Sequence, residues 1–235
     1  MARKPMDALI LAGGLGTRLA PAVCEMPKAL APIHGRPFID YLFAHLAASG
    51  LISRAILAVG HGADQIADHV NTNPPALPVE ISQEEMPLGT GGAVALARKL
   101  EPSDPFLVLN GDSFTKLDYH AFARFHADQQ APASLVAVQV KDTAAFGSVN
   151  IVNDRITRFI EKSAAYTPGW ISAGIYMFSA PVLAALPGGP SSLEIQILPD
   201  LIDGGLAAFR CDAPFLDIGT PTRFVQASDF FEPLH

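Results

Sequence analysis

Asp7-Ala8-Leu9-Ile10-Leu11-Ala12-Gly13-Gly14-Leu15-Gly16-Thr17-Arg18 is the stretch on which the reading of this chain turns. From Ala8 to Ala12 the run is continuously apolar, with no alternation. That pattern describes a strand buried on both faces, as in a parallel sheet covered by helices. The glycines that end it let backbone N–H groups come close to an anion, although they also suit a plain tight turn. Two named phosphate motifs do not fit. The dinucleotide fingerprint needs a third glycine where Leu19 stands, and an acid for a ribose where the second strand ends at Val59-Gly60. A Walker loop needs Gly-Lys-Ser/Thr, which the chain lacks. A phosphate loop carrying its own Arg18 remains.

Outward from this strand the elements alternate. Phe38, Leu42, His45 and Leu46 share one helical face, with Pro37 in the first turn and Gly50 as the stop, so a helix is predicted over 38–49. Further strands are predicted over 54–59, 79–81, 106–109, 134–140 and 171–178. Helices are predicted over 64–70, 91–100 and 118–129, the last capped by Asp118. Asn153-Asp154 reads as the turn of a hairpin between 148–152 and 155–160. Ser191 to Glu194 has the spacing of a capping box for a helix running to 202, and Thr220-Pro221 opens the last helix. The expectation is one α/β domain over 1–235. Its frame is an open, twisted, mostly parallel Rossmann-like sheet with helices on both faces and a small antiparallel part near its end. No repeat or linker interrupts it.

Composition narrows the function. With 49% hydrophobic and 17% charged residues the chain can build a large core. A formal charge of −7 argues against nucleic acid as a partner but leaves room for small anions gathered in one cleft. The apolar run at Ala8–Ala12 is too short for a signal-peptide core or a membrane span. Cys24 and Cys211 form no Cys-x-x-Cys and no Cys/His cluster, so neither zinc nor a disulfide is expected, and a reducing cytoplasm is.

Several residue types then point to phosphate chemistry. Lys28 follows Pro27 in a proline-punctuated loop; alone it reads as a surface lysine, but beside Arg18 it becomes a second clamp. Asp112 and Asp217 fall at strand ends, where open α/β sheets bind ligands. Together they suit Mg²⁺ on a triphosphate; separately each would simply cap a turn. Leu88-Gly89-Thr90-Gly91-Gly92 is a second glycine-rich turn before a helix. Glu161-Lys162 alone reads as a surface ion pair.

Taken together the segments resemble the sugar-1-phosphate nucleotidyltransferase family. They are Gly13-Gly14-Leu15-Gly16-Thr17-Arg18-Leu19, Pro21, Pro27-Lys28, Pro87 to Gly92, Asn110-Gly111-Asp112, Phe146-Gly147, Glu161-Lys162, Ala173-Gly174-Ile175-Tyr176 and Asp217 to Pro221. The resemblance covers nearly the whole chain in family order. It implies a nucleotide-binding part over about 1–140 and a sugar-phosphate part over about 141–220. It implies that Leu11, Ala12, Gly13, Gly14, Gly16 and Thr17 line the nucleotide and that Arg18 holds the β- and γ-phosphates. Lys28 would meet the attacking sugar phosphate. Gln83, Glu84 and Gly89 would read the base, and Asp112 and Asp217 would hold Mg²⁺. Gly147, Glu161, Lys162 and Ser172 would contact the sugar and its phosphate. Ser172 departs from the family's usual Asn, and Met86 stands where relatives often carry an acid. Residues 18–23, 26–32 and 35–38 look most like guanylyltransferases acting on D-glycero-D-manno-heptose 1-phosphate, which implies GTP as donor and a GDP-sugar for surface polysaccharide.

Such a reaction needs no general base, because the attacking phosphate is already ionised; His34, His45 and His61 read as structural or solvated. The alternatives are uridylyl or thymidylyl transfer to a hexose 1-phosphate, a glycosyltransferase, and a non-catalytic regulator that binds sugar nucleotides. A glycosyltransferase typically shows Asp-x-Asp where this chain has Asp112-Ser113-Phe114. A regulator would have lost Arg18, Lys28 or an aspartate. A homodimer stays open.

Overall fold

The structure is a computed structural model and describes residues 5–14, 26–160 and 167–231. Its frame is a nine-stranded sheet. In chain order the strands are β1 Met6–Leu11, β2 Pro32–Ile33, β3 Arg36–Pro37, β4 Ile52–Val59, β5 Val79–Gln83, β6 Phe106–Asn110, β7 Ser113–Thr115, β8 Ala133–Val140, β9 Ser148–Val152, β10 Arg155–Ile160, β11 Gly169–Phe178, β12 Ala207–Cys211 and β13 Phe215–Asp217. The main sheet runs β5-β4-β1-β6-β11-β8-β12-β10-β9, with β2–β3 and β7–β13 as separate two-stranded ribbons. Followed through its pairings, seven of the nine strands point one way; β11 and β10 oppose them.

The continuous apolar runs have a simple cause. In β1, Ala8 and Ile10 enter one hydrophobic cluster and Leu9 the other; in β6, Leu107 and Leu109 oppose Phe106 and Val108 in the same way. Each strand is buried on both faces because helices cover both. Phe38–Ala48 and Tyr119–Gln129 pack into one cluster, while Gly89–Leu96 and Ala180–Ala185 pack into the other. Asp118 caps its helix as expected, accepting from the Ala121 N–H at 2.9 Å. At the hairpin, Asn153 and Asp154 take φ of +49° and +57°, the left-handed pair that a tight two-residue turn requires.

The β9–β10 hairpin forms the antiparallel part and extends the main sheet through β12. The structure corrects two expectations. The helix expected over 91–100 starts at Gly89 and tightens into a 3₁₀ turn over Ala97–Leu100. There is no capping box at Ser191. Ser192 is the cap, accepting from the Ile195 N–H, and a π-helical turn over Leu193–Ile197 runs into a short helix at Leu198–Asp200. Glu194 turns away from the capping role: it accepts from Thr90 Oγ1 at 3.0 Å.

β11 is also bulged. Ser172 pairs Ala137 and Tyr176 pairs Leu135, so four residues of β11 span two of β8. Gly174, within the bulge, has φ of +70° and lies directly on the Asn110 side chain, where a Cβ would collide.

Candidate active site

Parallel strands end at the same edge. The carboxyl ends of β1, β4, β5 and β6 bring Leu11 to Gly14, Val59-Gly60, Glu84 and Asn110 to Asp112 side by side. A cleft of about 310 Å³ opens there, lined by Leu11, Ala12, Gly13, Gly14, Lys28, Glu84, Gly89 and Asp112 among others. These eight are all residues singled out in the sequence. They come from segments up to a hundred residues apart, and the register of the sheet is what gathers them.

One wall is backbone. Ala12 N–H donates to Ala58 O at 2.8 Å and Gly111 N–H to Leu11 O at 2.9 Å, which locks the turns after β1 and β6 together. A Cβ on Gly111 would lie 2.6 Å from that same carbonyl, so only glycine allows the approach. Glu84 closes this wall. Its N–H bonds Val59 O, its Oε2 accepts from Leu88 N–H at 3.1 Å, and its Oε1 lies 3.2 Å from where a Gly13 Cβ would sit. The acid therefore anchors the 84–88 turn with one oxygen and faces the glycine turn with the other. Gln83 is exposed and does not line the cleft, whereas Ser82 is buried and does. Strand alternation puts 82 and 84 on one side and 83 on the other.

The other wall is charged. Lys28 stands in a 3₁₀ turn over Lys28–Leu30, and its Nζ lies 2.6 Å from Asp112 Oδ2. Asp217 stands behind this wall and not among the lining residues: it ends β13 opposite Ser113, and Ile218 N–H continues the ribbon to Asp112 O at 2.9 Å. Backbone pairing thus sets the two aspartates on neighbouring rungs. Asp217 Oδ1 accepts from Gly219 N–H at 2.8 Å and from Arg223 Nη1 at 3.0 Å. Each carboxylate has one oxygen committed to a cation, and the other, Asp112 Oδ1 or Asp217 Oδ2, has no partner among the described residues. Two hard oxygens fit Mg²⁺, which takes one or two carboxylates and completes its shell with water and substrate phosphates. No group of three or more metal-ligating side chains occurs among the described residues.

Behind this wall a hydrogen-bond chain links the two halves. Gly174 N–H donates to Ser172 Oγ, Ser172 Oγ to Tyr176 Oη, and Tyr176 Oη to Glu194 Oε1 at 3.5 Å; Thr90, which lines the cleft, binds the other oxygen of Glu194. Burial pushes the Tyr176 hydroxyl far above its ordinary range, and Glu194 adds to the effect, so Tyr176 stays a neutral donor. Gly147 has φ of +77° and follows Phe146, whose ring carries Arg223 4.1 Å above it. Gly16, Thr17, Arg18, Glu161 and Lys162, and Cys24, lie outside the described residues. Among the described residues no histidine lines the cleft; His34 Nε2 instead sits 2.8 Å from both Ser228 O and Phe231 O. Sequence reasoning missed Ser82, Thr90 and Arg223. Period-2 alternation would have found Ser82; no motif signals Arg223.

Known proteins share this chain's family and fold. Over 227 residues the chain is 34% identical to a mannose-1-phosphate guanylyltransferase catalytic subunit beta of Xenopus tropicalis, covering 94% of this chain and 63% of that protein. It is 36% identical to a mannose-1-phosphate guanylyltransferase of Mycobacterium tuberculosis, over 97% of this chain and 65% of that protein. The chain therefore spans just under two thirds of the length of these curated relatives. The crystal structure of HddC from Yersinia pseudotuberculosis complexed with GMP-PN superposes with a TM-score of 0.87 at 34% identity, over 97% of this chain and all of that one. No helix among the described residues is long and apolar enough to cross a membrane. The family model for nucleotidyl transferases matches residues 7–233, and the chain belongs to that family.

Proposed function

We propose that this protein transfers a guanylyl group from GTP to a sugar 1-phosphate, giving a GDP-sugar and pyrophosphate. The observation that carries the reading is the single cleft that joins the glycine turn at Gly13-Gly14, Glu84 and Gly89 to Lys28 and Asp112. The guanylyltransferase relatives support the base and a manno-configured sugar; the heptose 1-phosphate follows from the motif likeness over residues 18–38.

The glycine turn presents backbone N–H groups to phosphate, and Arg18 follows it in sequence as the cation for the β- and γ-phosphates. Lys28 neutralises and orients the attacking sugar phosphate, whose oxygen displaces pyrophosphate at the α-phosphorus in line. No proton has to be removed from the nucleophile, so a cleft without histidine suffices. Asp112 and Asp217 would hold Mg²⁺, which supplies charge neutralisation on the triphosphate when bound. Glu84 Oε1 would accept from the guanine N1–H and amine, a donor pair that pyrimidines lack. The sugar lies toward Gly147, Ser172, Glu161 and Lys162 in this reading. We assign the reaction to the cytoplasm, where nucleoside triphosphates are available.

The test is pyrophosphate release from four nucleoside triphosphates, each paired with mannose 1-phosphate, D-glycero-D-manno-heptose 1-phosphate and glucose 1-phosphate. GTP with a manno-configured acceptor should lead, and excess chelator should stop the reaction. A lead by UTP or dTTP would replace the base assignment; no release with any pair would overturn the reaction class.

A further inference from the structure

We propose that Arg223 is a further cation for the acceptor sugar phosphate, beyond Lys28 and the Lys162 that the family resemblance implies. The inference rests on the reaction proposed above and names a residue that no motif of the chain supplies. Gly219 and Asp217 lie between the cleft and this guanidinium. Lys28 lines the cleft and bonds Asp112; its Nζ lies 3.4 Å from where a Gly219 Cβ would sit. That point is 2.8 Å from Asp217 Oδ1, which accepts from Arg223 Nη1 at 3.0 Å. The same guanidinium stacks on Phe146, the residue before Gly147. Arg223 thus stands beyond Lys28 by way of Gly219 and Asp217, beside Phe146-Gly147 and behind the residues that line the cleft.

Its placement runs against helix energetics. Arg223 is the third residue of the helix Pro221–Phe230, capped by Thr220, where an acid satisfies both the cap and the helix dipole. A cation there is locally unfavourable. Asp217 and the Phe146 ring hold it in place regardless. A guanidinium has five N–H donors. One is used on Asp217, and among the described residues the others have no partner, while the side chain keeps 23% exposure. A rigid, partly exposed fork with free donors suits a phosphate monoester, which carries two negative charges and several acceptor oxygens.

The experiment compares wild type with Arg223→Met and Arg223→Lys. Methionine keeps an apolar stem over Phe146, and lysine keeps the charge without the fork. The KM for the sugar 1-phosphate should rise on the order of 10-fold or more in Arg223→Met and by less in Arg223→Lys, with the KM for GTP held within about 2-fold. Mn²⁺ affinity of the substrate-free enzyme, read by electron paramagnetic resonance, should increase in Arg223→Met, because Asp217 loses a competing cation. A residue that merely holds Asp217 in place would do the reverse: Mn²⁺ affinity would fall and both KM values would rise, and that result overturns the inference. So does an unchanged sugar-phosphate KM in an active enzyme. A wild type that releases no pyrophosphate with any pair instead overturns the reaction on which the inference rests.

Discussion

The two walls of the cleft are built from different materials. The wall after β1, β4 and β5 is main chain and glycine, with Glu84 as the acid among its described residues; the other wall carries Lys28 and Asp112, backed by the Asp217–Arg223 pair, and its charges balance in pairs. Backbone N–H groups fixed by a parallel sheet need no reorganisation to meet a phosphate, so the first wall sets shape. In the proposed reaction paired charges would exchange partners on binding metal and anion, so the second wall would set chemistry. The comparison makes a claim about variants: on the glycine wall steric changes should do the damage and act on folding, whereas on the charged wall isosteric changes should silence the reaction and leave the fold alone.

Asp112→Asn tests the charged wall most severely. It keeps shape and volume, but it removes the carboxylate that pairs Lys28 and would carry the metal. Turnover should fall on the order of 10³-fold, at the upper end of what one lost electrostatic partner costs, with the melting temperature nearly unmoved. Unchanged turnover would refute the division of labour. Gly111→Ala tests the opposite wall. Its added methyl would meet the backbone Leu11 O at 2.6 Å and should destabilise by about 1–3 kcal/mol. Thermal or denaturant unfolding reads this directly, and a variant as stable as wild type would mean that the turns after β1 and β6 are free to part.

Most of the glycine wall was legible in the sequence because backbone sites leave local marks. A buried run followed by glycines is visible in the twelve letters from Asp7 to Arg18, and the second glycine-rich turn is visible from Leu88 to Gly92. The frame was legible for a related reason: strands buried on both faces lose their alternation, as Ala8, Leu9 and Ile10 do by facing alternate clusters. The charged wall was legible only in part. Lys28, Asp112 and Asp217 carry family spacing, but their partners are set by the ribbon β7–β13, which joins residues a hundred positions apart. Arg223 has no local mark at all. At Ser191 the local pattern misled: Ser191-x-x-Glu194 has capping-box spacing, yet tertiary contact won, with Glu194 drawn to Thr90 and Tyr176.

Glu84→Gln should have an intermediate effect, because Glu84 belongs to the glycine wall but acts by charge. The amide keeps one acceptor for Leu88 N–H and loses the second carboxylate oxygen facing Gly13. The preference for GTP over UTP should fall on the order of 10-fold, with little change in stability. If stability falls and base preference holds, Glu84 is an anchor for the 84–88 turn and nothing more.

The smallest effect is expected at a residue that supports the charged wall from behind. His45 lies against Phe114 of β7 and against Tyr119, with ring centroids 5.3 and 5.0 Å away, and its Nε2 is buried without a partner. Burial lowers its pKa from the ordinary 6.5; a hydrogen bond to the Leu117 backbone opposes the shift and nearby Lys116 adds to it. The sign follows from proton counting. Between the lowered folded value and 6.5 the unfolded chain binds a proton at this site and the folded chain does not. Stability is therefore intact above pH 6.5 and declines as pH falls toward the folded value. One group limits this slope to about 1.4 kcal/mol per pH unit. His126 is lowered mainly by burial too and adds a similar contribution. His45→Asn keeps a donor near Leu117 and loses the titration. It should unfold more readily at every pH, because ring packing on Phe114 is gone, yet its stability should vary less between pH 7 and pH 5 than that of wild type. Denaturant unfolding at those two pH values measures the difference, and an equal decline in both proteins would show that the acid sensitivity of the fold arises elsewhere.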